Sequence, residues 1–110
     1  MPFQSEGTNP DGKAYAGTAT ITKLEHTWSL QWMSEDELMA VGIGIRKDDV
    51  LAVVFQTKNG TIGLSLYTIR RGKLEGTWTV PGADLVANET LTKTKPPKPQ
   101  PALSQPGVRL

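Results

Sequence analysis

Cysteine is absent from the 110 residues, and histidine occurs once, at His26. Without cysteine there is no disulfide framework and no thiolate chemistry, and the redox compartment stays open, because such a chain suits cytoplasm and periplasm equally. A single imidazole cannot build a multi-histidine metal site, and no nucleophile–base pair is recognisable, so no catalytic residue and no cofactor is expected. His26 is expected as an ordinary polar residue at the start of a strand. No run of about 20 apolar residues is present, so no membrane-spanning helix is expected, and no basic-then-apolar amino-terminal region marks a signal peptide. Positive charge is also scarce where a fold can form. Residues 1–93 carry 9 Lys/Arg against 11 Asp/Glu, and only the stretch 94–110, with Lys95, Lys98 and Arg109, brings the total to +1. The folded part therefore lacks the basic footprint of a nucleic-acid binder.

What the chain does have is punctuation. From Asn9 to Gly82 turn signals are separated by gaps of eight to eleven residues, and nearly every gap holds an alternating or apolar β-rich segment. Asn9-Pro10-Asp11-Gly12, Lys58-Asn59-Gly60, Arg71-Gly72 and Pro81-Gly82 are the clearest breaks. Between them strands are predicted at 3–8, 13–22, 26–32, 38–45, 49–57, 61–69, 73–80 and 85–93. Period two is plain in Tyr15, Gly17, Ala19 and Ile21 and again in Trp28, Leu30 and Trp32. Eight strands with short connections leave no room for a helix, and an even count lets the last return beside the first, removing both edges. The sequence thus predicts an all-β domain over 1–93, an eight-stranded antiparallel up-and-down barrel in preference to a two-sheet sandwich. The five prolines of 94–110 predict a disordered Pro-rich C-terminal tail, within which Lys95-Pro96-Pro97-Lys98-Pro99 matches a Pro-x-x-Pro pattern only superficially.

Candidate residues follow from alternation. The interior is predicted to hold Tyr15, Ile21, Trp28, Leu30, Trp32, Val41, Ile43, Val53, Phe55, Leu64, Leu66, Leu74, Trp78 and Leu91. The repeated Gly-Thr pairs at Gly7, Gly17 and Gly76 place glycine on the inward face, where a missing side chain makes room for an aromatic ring. Glu89 shares its face with Ala87 and Leu91, so it too points inward and needs donors, with Tyr15 or a tryptophan indole as candidates. Glu89 and Tyr15 are accordingly the candidate ligand-binding pair. Glu35-Asp36-Glu37 and Asp48-Asp49 lack the spacing of a cation loop and are expected to be solvated turns. Gly42-Ile43-Gly44, inside a strand with no helix after it, is no phosphate loop. Residues 38–45, 50–57 and 61–69 contain 25 positions without one Lys, Arg, Asp or Glu. With the aliphatics of these strands inside, the outer face would carry small residues around one aromatic: Ala40, Gly42, Val50, Ala52, Val54, Ser65, Tyr67 and Ile69. These form the predicted interface, for a second copy or a protein partner.

The segments Glu6-Gly7-Thr8-Asn9-Pro10-Asp11-Gly12, Tyr15-x-Gly17-Thr18-x-Thr20-Ile21, Trp28-x-Leu30-x-Trp32, Gly63-Leu64-x-Leu66-Tyr67 and Leu74-x-Gly76-x-Trp78-Thr79 together resemble a group of small exported bacterial β-barrel proteins, some of them labelled fibronectin-binding. The resemblance covers about residues 3–93 and implies an exported, non-enzymatic domain, periplasmic or extracellular. Two functions are expected in that order: an interaction domain presenting an uncharged sheet face, or a small-ligand carrier of lipocalin or avidin type using the barrel mouth. The number of inward aromatics predicts a filled interior with no cavity for a biotin-sized molecule.

Overall fold

The computed structural model describes residues 1–94. Eight strands follow one another: β1 Pro2–Thr8, β2 Ala14–Lys23, β3 Trp28–Ser34, β4 Glu37–Lys47, β5 Val50–Thr57, β6 Ile62–Arg70, β7 Lys73–Thr79 and β8 Ala87–Lys93. Each pairs antiparallel with the next, and β8 pairs with β1 through Gly7 opposite Glu89, closing the barrel. Every backbone edge is thereby used within the sheet. The all-β, closed eight-stranded architecture is the one the turn cadence predicts. Boundaries differ by at most two residues: β3 starts at Trp28, leaving His26 exposed in the 24–27 turn beside Glu25 at 3.5 Å, and β8 starts at Ala87, leaving Leu85 outside it. The Pro-rich segment with Lys95-Pro96-Pro97-Lys98-Pro99 lies outside the described residues. Glu35 and Asp36, with φ of 51° and 67°, form the two-residue turn between Ser34 and Glu37, and two left-handed residues are what a tight hairpin of this hand requires.

Side-chain size sorts the interior. Inward positions pair large with small across the ladders: Trp28 opposite Gly44, Leu30 opposite Gly42, Trp32 opposite Ala40 and Ala19, Phe55 opposite Gly42 and Gly63, Tyr67 opposite Gly76, and Tyr15 opposite Gly7. A Cβ at Gly63 would sit 2.5 Å from Cζ of Phe55, and one at Gly7 2.6 Å from the Tyr15 hydroxyl oxygen. Small barrels fill by such alternation, because the lumen is too narrow for bulky residues from every strand. Of the glycines expected to make space for rings, Gly7 does so for Tyr15 and Gly76 for Tyr67, whereas Gly17 lies against the Met33 backbone; Gly63 and Gly42 make the space for Phe55 and the Trp32 indole.

The same rule overturns part of the predicted interior. On β4 the glycines Gly42 and Gly44 turn inward, so Val41, Ile43 and Ile45 are exposed; on β6 Gly63, Ser65 and Tyr67 turn inward, so Ile62, Leu64 and Leu66 are exposed. Phe55, Trp32, Trp78 and Tyr67 already occupy the lumen beside these strands. Branched aliphatics from β4 and β6 could not be added without overpacking. Of the rest of the predicted core, Ile21, Leu30, Val53, Leu74 and Leu91 are buried around Tyr67 with Trp28 packed against them; Phe3 and Leu51 join the cluster, and so does Ile69, expected on the outer face.

That cluster plugs one end of the barrel, where the β2–β3, β4–β5 and β6–β7 turns lie. At the other end, under the β1–β2, β3–β4, β5–β6 and β7–β8 loops, the lumen opens.

Candidate functional site

Glu89 stands on β8 between Ala87 and Leu91, all three inward and buried, as period two dictates. Its carboxylate takes four hydrogen bonds. Oε2 accepts from Ser5 Oγ at 3.0 Å and from Tyr15 Oη at 2.6 Å; Oε1 accepts from Trp32 Nε1 at 3.2 Å and from Tyr67 Oη at 2.5 Å. One donor comes from each of β1, β2, β3 and β6, so the group ties four strands to β8 through the middle of the barrel. Two bonds on each oxygen occupy the acceptor sites a carboxylate has, an arrangement suited to its ionised form. Burial, and then the charge of Glu89 and the bonds to it, push both tyrosines well above the ordinary phenol range, opposed slightly by the Trp78 indole at Tyr15 and by Ser65 at Tyr67. Both phenols are neutral donors at physiological pH. Among the described residues no cation meets the carboxylate: the Lys58–Glu37 and Arg70–Glu75 pairs are on the outside.

Above Glu89 the mouth is walled by four rings. Tyr15 meets Trp78 edge-on at 6.3 Å between centroids, Trp78 meets Phe55 at 6.0 Å, and Phe55 meets Trp32 at 5.9 Å. Edge-to-face contacts of this kind stiffen the wall. They surround a recess of about 490 Å³ that reaches from the Asn9–Pro10 and Lys58–Asn59 loops down to Glu89. The expected filled interior therefore holds at the plugged end, while at the mouth the rings, opposed by Gly and Ala along the ladders, leave this recess between them. The volume falls within the roughly 300–1,000 Å³ of small-molecule sites. Among the described residues, Trp78 Nε1 is the buried side-chain polar atom left without a hydrogen bond.

A second feature lies on the outside. Ile43, Val54 and Leu64 form one row across β4, β5 and β6, Ile45, Ala52 and Leu66 the next, and Val41, Gln56 and Ile62 a third. Ile45 is 64% and Leu64 62% exposed, and a shallow trough of about 550 Å³ runs along these rows. Of the predicted interface residues, Ala52 and Val54 are here, with Val50 at the end of β5. Ala40, Gly42, Ser65, Tyr67 and Ile69 are not: they point into the barrel, and Tyr67, 1% exposed, is the most deeply buried tyrosine rather than a surface anchor. The outer face of these strands is therefore made of the large aliphatics, where small residues around one aromatic are expected.

Of the predicted ligand-binding pair, Glu89 and Tyr15 come together at 2.6 Å. Ser5 and Tyr67 were not predicted as their partners. The signal for Tyr67 lay in donor demand: an inward carboxylate has about four acceptor sites, and with two tyrosines in the chain both hydroxyls are wanted. Set beside known proteins, the chain matches no family model, no curated sequence and no solved structure.

Proposed function

We propose that this is a non-enzymatic interaction domain that pairs with a second copy of itself through the outer face of β4–β6. The carrying observation is the set of exposed aliphatics at positions 41, 43, 45, 54, 62, 64 and 66. Together they expose on the order of 600 Å², at the top of the roughly 300–600 Å² that monomers leave in water and near the roughly 800 Å² each partner gives a standard interface. Charge distribution favours a second copy. The strip runs from Glu35, Asp36 and Glu37, with Lys58, at the mouth end to Arg46, Lys47, Arg70, Arg71 and Lys73, with Asp48 and Asp49, at the plugged end, a net acidic end and a net basic one. A two-fold axis through the strip lays each acidic end on the other copy's basic end, as a self-complementary interface requires. The aliphatic rows then interdigitate as in stacked sheets, about 10 Å apart. Resemblance to exported bacterial barrels supports an envelope or extracellular setting.

Sedimentation velocity tests this reading. The parent is expected to sediment as a dimer at tens of micromolar, and Ala52→Lys with Val54→Lys, in the central rows, as a folded monomer. A parent that stays monomeric at the highest soluble concentration contradicts it.

The open mouth favours a second reading, a small-ligand carrier. A recess of about 490 Å³ with a carboxylate at its floor and rings on its walls has the dimensions and chemistry of a binding site. The two readings use opposite surfaces of the sheet and exclude neither each other nor joint operation.

A further inference from the structure

The chemistry of the mouth narrows what it takes, and this inference rests on the carrier reading. Glu89 brings a negative charge into the lumen, 6% exposed, and its hydrogen-bond partners are the neutral donors Ser5, Tyr15, Trp32 and Tyr67. Neutral donors spread that charge without cancelling it. The rim adds Asp11, Glu35, Asp36 and Asp84 against Lys13 in the loops around the opening, while Lys58 is held by Glu37 at 2.6 Å. A net acidic rim above a carboxylate that no cation of the described residues meets focuses a negative potential into the recess and enriches cations there. The walls match that sign, because the faces of Trp32, Phe55, Trp78 and Tyr15 carry the negative part of the ring quadrupole.

The hydrogen bonding of Glu89 then separates kinds of cation. Both Glu89 oxygens already accept two hydrogen bonds, so no acceptor site remains for the N–H of a primary ammonium. Brought against the carboxylate, such a group would lose hydration that Glu89 does not replace. A fully methylated ammonium has no N–H to satisfy, and its methyl groups pack against ring faces. We propose that the barrel mouth binds a small quaternary ammonium compound, held by the aromatic wall and by the through-space charge of Glu89.

The test is a titration of the full chain followed by tryptophan emission at constant ionic strength, since Trp32 and Trp78 stand in the wall. The probes are choline, its uncharged isostere 3,3-dimethylbutan-1-ol, ethanolamine and butyrate. Choline is expected to saturate the signal at millimolar concentration or below, with the isostere and ethanolamine at least tenfold weaker and butyrate silent. Glu89→Gln, which keeps the size, is expected to lower choline affinity about tenfold and leave the isostere unchanged. Should that variant fail to fold, Phe55→Leu removes one ring and is expected to weaken choline several-fold more than the isostere. An isostere that binds as tightly as choline overturns the inference while the carrier reading stands. Tighter binding of ethanolamine overturns the assignment to quaternary ammonium. If none of the four probes binds, the carrier reading falls with it.

Discussion

On β4 and β6 the outer face is more hydrophobic than the inner one. Ile43, Ile45, Leu64 and Leu66 face out, while Gly42, Gly44, Gly63 and Ser65 face the lumen between them. On β5, which lies between these strands, the order is the ordinary one, with Leu51, Val53 and Phe55 inside and Ala52, Val54 and Gln56 outside. The contrast teaches that lumen volume decides orientation here, and transfer free energy acts within what volume allows. An eight-stranded barrel has space for large residues from some strands only. Where the neighbours supply Trp32, Phe55, Tyr67 and Trp78, the intervening positions must be small. Aliphatics left on the outside then need a partner to leave water.

Three perturbations probe the two faces in decreasing order of effect. Glu89→Ala strands the donors of Ser5, Tyr15, Trp32 and Tyr67 and opens a hole at the barrel centre; a loss of about 3–5 kcal/mol is expected in urea unfolding. Gly76→Val drives a branched side chain into the Tyr67 ring, and about 3 kcal/mol is expected to be lost. Its neighbour Thr77→Val, on the exposed face, is expected to stay within about 0.5 kcal/mol of the parent. Equal effects at 76 and 77 would break the size-sorting account.

Alkaline pH separates the inner network from the outer strip. Burial and Glu89 raise the folded-state values of Tyr15 and Tyr67 above the ordinary 10.0. A raised folded value means that this stability is fully present below about pH 10, the unfolded value, and is lost as pH climbs toward the folded one. Unfolding free energy is expected to fall above pH 10, with Tyr67 contributing about 1.4 kcal/mol per pH unit. Tyr67→Phe should remove that share of the slope. An unchanged slope in the variant would place Tyr67 outside the network.

Turn chemistry made the architecture legible. Asn-Pro-Asp-Gly, Asn-Gly and the Glu-rich break lie where hairpins turn, and eight segments closed as an even count suggests. Glu89 was legible because strand alternation leaves it no other face. Orientation on β4 and β6 was not, because both faces of these strands are uncharged and apolarity alone favours putting Ile43 and Leu64 inside. The deciding information is non-local: Gly63 goes in because Phe55 stands across from it, and Tyr67 because Glu89 needs its hydroxyl. The open mouth was missed for a related reason. Counting inward rings suggests a full lumen, whereas rings opposed by Gly and Ala line a wall.

The absence of cysteine permits a direct measurement of orientation. Leu66→Cys and Ser65→Cys, each made in the monomeric Ala52→Lys, Val54→Lys background, place a single thiol on either face of β6 one residue apart. With size sorting the lumen, Leu66→Cys is expected to react with a bulky maleimide at nearly the rate of the unfolded chain, and Ser65→Cys at least a hundredfold more slowly. Fast labelling at 65 with protection at 66 would contradict the account.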